Sequence, residues 1–201
     1  MQTDKSKEAV RLDAAFWNER YEKNETGWDL KQVSPPIKAY IDQLENKNIS
    51  ILIAGCGNAY EAEYLNNLGF ENITLIDIAP LLVAELKEKF KQSSIKVLEQ
   101  NIFDHTGKYD LILEQTLFCA IDPSDRSRYV EKIHSLLAEK GKFVGVLFNK
   151  IFEHQGPPFG GTKAAYEKLF SDYFQFNTIA PCHNSIAPRM GNELFINFSK
   201  K

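Results

Sequence analysis

Four positions between residues 55 and 77 have the types and spacing to hold a nucleoside. Gly55 and Gly57 flank Cys56 directly after the apolar run Ile51-Leu52-Ile53-Ala54. Glycine there lets the chain turn with φ > 0 and lets a ligand approach the main chain closely. Asp77 comes 22 residues after Gly55, at the end of a second apolar run, Ile73-Thr74-Leu75-Ile76. In a βαβ unit the ends of adjacent parallel strands lie side by side. Asp77 would then sit beside the glycine turn, where a carboxylate accepts both hydroxyls of a ribose. A tight strand-to-helix turn needs glycine even without a ligand, and the spaced acid is what favours nucleotide-type binding. The third glycine of a dinucleotide fingerprint is missing, with Ala59 and Tyr60 near its place. Glu61 at the helix start would repel a diphosphate. It suits a ligand end carrying an amine or a sulfonium, which points to S-adenosylmethionine rather than NAD.

Further chemistry-bearing residues lie outside that unit. Trp28 stands in a loop next to Asp29, off any periodic stripe. It is read equally well as core packing or as a ring closing over the ligand, where an indole face attracts a sulfonium. Trp17 lies on an apolar helical stripe, which favours core packing. Asn101 and Ile102 follow a third apolar run and offer adenine a polar partner and an apolar slab; a plain turn explains the same residues. Glu114 and Gln115 end a fourth run, at the strand end where open α/β sheets place their chemistry. Thr116 to Ile121 is mostly apolar and suits a pocket wall. Within it Cys119 has no expected cationic neighbour, so it reads as packing rather than as a nucleophile. His134 reads as a boundary residue rather than a base.

The elements that must position these residues follow from periodicity. Val10, Ala14, Trp17 and Tyr21 recur at helical spacing after a polar, frayed start over residues 1–8. Ser34-Pro35-Pro36 opens a second helix, with Ser34 as cap and Ile37, Tyr40, Ile41 and Leu44 on one face. Strands are expected at about 50–54, 73–77, 95–98, 109–113 and 142–148. Between them a helix at about 60–68 turns Leu65 and Leu68 inward and stops at Gly69. The next opens at Pro80 with Leu82, Val83, Leu86 and Phe90 in one stripe. A third follows Asp122-Pro123-Ser124-Asp125, presents Tyr129, Val130, Ile133 and Leu137, and ends at Gly141. Gly156 to Gly161 is too rich in proline and glycine to pair, and reads as a lid or a crossover. Thr162 caps a helix containing Tyr166, Leu169 and Phe170. Residues 174–179 and 194–198 alternate like an antiparallel pair, and the loop between them holds His183, Pro188 and Arg189. Alternating strands and helices with a final β-β pair predict a mainly parallel sheet with an antiparallel edge.

A chain of 201 residues suits one domain with a full core. Its 43% hydrophobic and 25% charged residues are ordinary for a soluble globular protein. A net charge of −3 gives no basic surface for nucleic acid and no polybasic membrane anchor. Three separated cysteines, Cys56, Cys119 and Cys182, argue against a disulfide framework or a metal site and fit a reducing cytosol. A polar N-terminus and the lack of a long apolar run predict no leader and no membrane span. The expectation is therefore a cytoplasmic monomer acting on a small molecule.

Several segments together resemble the thiopurine S-methyltransferase family, and within it the thiol and thiocyanate/halide methyltransferase branch. They are Phe16-Trp17 to Gly27-Trp28-Asp29 with Pro35-Pro36; Gly55-Cys56-Gly57 through Glu61; and Asp77-Ile78. Phe118-Cys119-Ala120-Ile121-Asp122-Pro123, Gly156-Pro157-Pro158-Phe159 and His183-Asn184-Ser185-Ile186 complete the set. The resemblance implies a class I methyltransferase (Rossmann-like) fold over 1–201: a mainly parallel seven-stranded sheet with an antiparallel C-terminal strand, helices on both faces, and residues 1–45 as a helical cover. It implies S-adenosylmethionine bordered by Trp28, approached by Gly55 and Gly57, and held at the ribose by Asp77 and at adenine by Asn101 and Ile102. Glu61 joins them from the residue reading, and Glu114 is implied near the methionine end. Gln115 is implied to face the methyl acceptor, and Trp17 moves to the pocket wall. Asn101 stands where many relatives carry Asp. Gln115 stands where plant halide and thiocyanate enzymes place Tyr and thiopurine enzymes Arg. The implied reaction is an in-line methyl transfer to a thiol, hydrosulfide, thiocyanate or halide, with no metal and no dedicated base. The alternatives are a module that binds the cofactor or S-adenosylhomocysteine without turnover, and an NAD-dependent oxidoreductase.

Overall fold

The computed structural model describes residues 11–201. Val10 and the polar start at 1–8 lie outside the described residues. In chain order the elements are α1 (Ala14–Glu22), α2 (Pro35–Ile41), β1 (Ile51–Ala54), α3 (Tyr60–Asn67), β2 (Ile73–Asp77), α4 (Pro80–Lys89) and β3 (Lys96–Glu99). Then come β4 (Tyr109–Gln115), α5 (Arg126–Leu136), β5 (Leu137–Phe148), α6 (Lys163–Phe170), β6 (Phe174–Pro181) and β7 (Glu193–Lys200). Seven strands form one sheet in the order β3-β2-β1-β4-β5-β7-β6. The first five run parallel, and β7 pairs antiparallel with both β5 and β6. The order reverses between β1 and β4, and in such sheets ligands bind in the crevice beyond the strand ends at that point.

Both sheet faces are covered, as the continuous apolar strands require. Ile51 and Ile53 point to a core shared with Ile37 and Ile41 of α2, Leu65 of α3 and Leu82 and Leu86 of α4. Leu52 and Ala54 point to the other face, where Tyr129, Val130 and Ile133 of α5 meet Phe170 of α6. α6 begins as predicted: the Thr162 hydroxyl accepts from the Ala165 N–H at 3.3 Å. Thr162→Ala should cost about 1 kcal/mol through loss of that cap. A urea midpoint that falls with an unchanged m-value would register it. None of the described helices is long and apolar enough to cross a membrane.

Four local expectations need correction. The helix at 126 does not run to Gly141 but ends at Leu136; Leu137 turns extended (φ −75°, ψ 139°) and opens β5, pairing with Tyr109. A buried leucine fits a helix stripe and a strand equally well, so periodicity could not mark the change. Leu68 is not inward but 38% exposed, because it caps α3 after the last full turn. Ser34 occupies the cap position of α2, yet its hydroxyl makes no capping bond; its N–H donates to Glu61 Oε1 at 2.9 Å. β3 is Lys96–Glu99, one residue later than expected.

Candidate active site

The strand ends open into a cavity of about 710 Å³. Glycine-turn geometry makes its floor. Gly55 (φ +57°) and Gly57 (φ +52°) both adopt the left-handed conformation after β1. A Cβ on Gly55 would also stand 2.7 Å from the Leu117 side chain, so this glycine serves the turn and the packing at once. Asp77 closes β2 beside the turn, as the spacing required. Its Oδ2 accepts from the Gly57 N–H at 3.3 Å and its Oδ1 from the Ala79 N–H at 3.0 Å. A carboxylate has about four acceptor sites, so two remain for a ligand.

Trp17, Trp28 and Tyr21 form one wall of the same cavity. The Trp28 ring meets Trp17 edge-on at 5.4 Å and Tyr21 at 5.7 Å. Trp17 is half-buried, lining the cavity while packing against the core beneath it. The Trp28 loop is tied to the glycine turn through Asp29, whose Oδ2 accepts from Asn58 Nδ2 at 2.9 Å and from the Tyr60 hydroxyl at 3.3 Å. The cover is fastened from its other end as well: the Asn18 side chain accepts from the Leu81 N–H of α4 at 2.8 Å.

Glu61, Asn101, Ile102 and Gln115 also line the cavity. Glu61 is 5% exposed, and burial raises its pKa despite the Ser34 N–H bond. Burial likewise raises Asp77, against the lowering effect of the Ala79 and Gly57 amides. Both carboxylates keep acceptor sites toward the cavity: Asp77 can take hydroxyl donors, and Glu61 suits a cationic ligand end, which would favour its ionised form. Asn101 caps its own turn, with Oδ1 accepting from the Phe103 N–H at 3.0 Å. Gln115 carries the clearest orphan: its Oε1 is buried without a hydrogen-bond partner.

Glu114 departs from expectation. Its side chain is 1% exposed and turned away from the cavity, into the core beneath α5. Oε1 accepts from the Phe118 N–H at 2.9 Å and Oε2 from the Tyr129 hydroxyl at 2.5 Å. Burial pushes its pKa up to about 7, against the lowering effect of those bonds. Cys119 touches the cavity, but its thiol donates to the Thr116 carbonyl at 3.1 Å. Burial first, and the Glu114 charge second, raise it to about 12, so it is no nucleophile at neutral pH. His134 is half-buried against Tyr173 and Phe174, away from the cavity, as a boundary residue.

Three wall residues had no assigned role in the sequence. Tyr21 was legible only as a helical stripe residue, and Asp29 only as a neighbour of Trp28. Arg189 sits in a 3₁₀ turn between β6 and β7, 9% exposed. Its Nη1 lies 3.3 Å from Glu193 Oε1, its Nη2 donates to the Trp28 carbonyl at 2.9 Å, and its Cζ is 5.4 Å from the Phe148 ring centroid. Only the folded connection between β6 and β7 brings it to Trp28, 161 residues away in sequence.

A sheet of this order, with a glycine turn after β1 and an acid closing β2, defines a class I methyltransferase fold. Solved structures agree. The Burkholderia thailandensis 1,6-didemethyltoxoflavin-N1-methyltransferase, solved with S-adenosylhomocysteine, superposes with a TM-score of 0.74 at 16% identity over 94% of this chain and 86% of that one. A TehB-like S-adenosylmethionine-dependent methyltransferase from Corynebacterium glutamicum gives 0.67 at 17% identity, over 94% and 98%. The thiopurine S-methyltransferase family model matches residues 12–193, and the chain belongs to that family. Its relatives include the Arabidopsis thaliana protein named Probable thiol methyltransferase 2, 26% identical over 184 residues (88% of this chain, 81% of that one). The thiopurine S-methyltransferase of Bos taurus is 26% identical over 195 residues (84% and 79%). Thiocyanate methyltransferase 1 of Arabidopsis thaliana is 22% identical over 189 residues (90% and 83%). The protein is thus a methyltransferase that uses S-adenosylmethionine, and the carboxylates Glu61 and Asp77, the left-handed glycines and the aromatic wall fit that sulfonium-bearing cofactor.

Proposed function

We propose that this methyltransferase acts on a small soft nucleophile: a thiol, hydrosulfide, thiocyanate or halide. The observation that carries the proposal is the wall beyond Gln115. Ile121, Phe148, Phe152, Pro157 and Pro158 make it apolar, and Arg189 adds a buried guanidinium. An apolar wall suits a small, weakly hydrated nucleophile, and the names of the plant and mammalian relatives support the same reading.

S-adenosylmethionine supplies an activated methyl group on a sulfonium. On this reading Asp77 takes the ribose, Asn101 and Ile102 the adenine, and Gly55, Gly57, Glu61 and Trp28 the methionine part. Residues 11–45 act as the cover. Gln115 and Trp17 position the acceptor. The acceptor reacts as an anion, and Arg189 stands on the same wall with its charge shared with Glu193 at 3.3 Å. The apolar wall strips water from that anion, and alignment within the cavity contributes several kcal/mol.

Calorimetry with S-adenosylhomocysteine, with NAD in parallel, is the first test. The expected result is saturable binding of S-adenosylhomocysteine alone. Incubation with S-adenosylmethionine and, in turn, hydrosulfide, small thiols, thiocyanate and iodide should then give a methylated product from at least one of them. Tight cofactor binding with no product from any would replace this proposal by the binding-module alternative.

A further inference from the structure

Arg126 begins α5 and does not line the cavity. Its guanidinium lies over the Phe118 ring, with Cζ 4.5 Å from the centroid. From there Nη1 donates to the Gly160 carbonyl at 3.0 Å and Nη2 to the Phe159 carbonyl at 3.1 Å. The same stretch is held by two backbone bonds. The Phe159 N–H donates to the Cys119 carbonyl at 2.6 Å, and the Gly161 N–H to the Lys150 carbonyl at 3.0 Å. Gly156, Pro157 and Pro158, just upstream, face the cavity.

This is an expensive way to hold a loop. Arg126 is half-buried, its Nε is buried without a partner, and no carboxylate pairs with it among the described residues. Desolvation lowers its pKa, the mark of a charge not fully compensated. A planar fork delivers two parallel N–H bonds in fixed geometry, which a lysine cannot reproduce. The fork and the Phe118 ring also join the Gly156–Gly161 loop to the Thr116–Ile121 segment, so two walls of the cavity are set as one unit.

We infer that Arg126 is a positioning residue for the methyl acceptor, locking the Gly156–Gly161 loop as the acceptor-side wall. The inference rests on the proposed function only in taking that side of the cavity for the acceptor. The loop is then a fixed wall, neither a free lid nor a plain crossover.

The test compares wild type with Arg126→Lys, Arg126→Met and Gly160→Ala. Gly160 is the second handle: a Cβ there would stand 1.7 Å from the Lys150 carbonyl oxygen, so alanine displaces the loop, and with it the carbonyl that Arg126 holds, while the arginine itself is kept. Amide hydrogen exchange at Phe159 and Gly161 should quicken about tenfold in Arg126→Met, with Arg126→Lys between it and wild type. With the best acceptor, KM should rise about tenfold while kcat changes little, the pattern of lost uniform binding. S-adenosylhomocysteine affinity should stay within about twofold, because the clamp does not touch the cofactor residues. Unchanged exchange in Arg126→Met overturns the inference. So does faster exchange with an unchanged acceptor KM, or S-adenosylhomocysteine affinity falling in step with activity. If Arg126→Met fails to fold, Gly160→Ala must show the same split or the inference falls. A wild type that binds S-adenosylhomocysteine but methylates nothing would defeat the proposed function instead, and the exchange arm would still decide the clamp.

Discussion

Asp77→Ala will weaken S-adenosylhomocysteine binding by about 100-fold, or about 2.7 kcal/mol. The carboxylate acts twice. It offers free acceptor sites toward the cavity, and it holds the glycine turn through the Gly57 N–H at 3.3 Å and the start of α4 through the Ala79 N–H at 3.0 Å. Each bond to an ionised group is worth about 1.5–3 kcal/mol when its partner is otherwise left unpaired. Alanine removes all of them. Asp77→Asn keeps the volume and one oxygen but places an amide against backbone donors, and should cost about tenfold. Calorimetry on both variants, with thermal melts as a check on folding, decides the point. Near wild-type affinity in a folded Asp77→Ala protein would remove the ribose role.

The parts of the site that sequence made legible are those carried by local spacing. Gly55, Gly57 and Asp77 declare themselves because a βαβ unit forces the ends of β1 and β2 together. The sheet was legible for a similar reason: buried parallel strands must be apolar throughout, and helices must alternate with them. The boundary at Leu137 was hidden because one buried leucine satisfies both periods. Arg189 was hidden because its place depends on a turn far along the chain. Glu114 is the instructive error. Glu114 and Gln115 are consecutive residues of β4, and successive side chains on a strand point to opposite faces. Both could not face the ligand. Gln115 does, with its unpartnered oxygen, and Glu114 therefore enters the core.

That buried carboxylate makes stability depend on pH in a definite direction. Burial raises Glu114 from about 4.5 in the unfolded chain to about 7 in the fold. Below the unfolded value the group is protonated in both states and costs nothing. Between the two values the folded state binds more protons, so stability falls as pH rises. Above about 7 the full penalty is present and no longer changes. A shift of that size corresponds to about 2.5 kcal/mol lost between pH 5 and pH 8. Glu61 and Asp77, also raised by burial, act in the same sense, so wild type alone does not isolate the effect. Glu114→Gln does. The amide keeps an oxygen for the Phe118 N–H and can donate to the Tyr129 oxygen, but it does not titrate. Urea melts at pH 5 and pH 8 should show the variant losing about 2.5 kcal/mol less than wild type over that interval. An equal loss in both proteins would mean that Glu114 titrates normally and stays ionised in the fold across this range. The bonds from Phe118 and Tyr129 would then fully offset desolvation, and a permanent charge accepting from the Phe118 N–H would hold the Thr116–Ile121 segment in place across that interval.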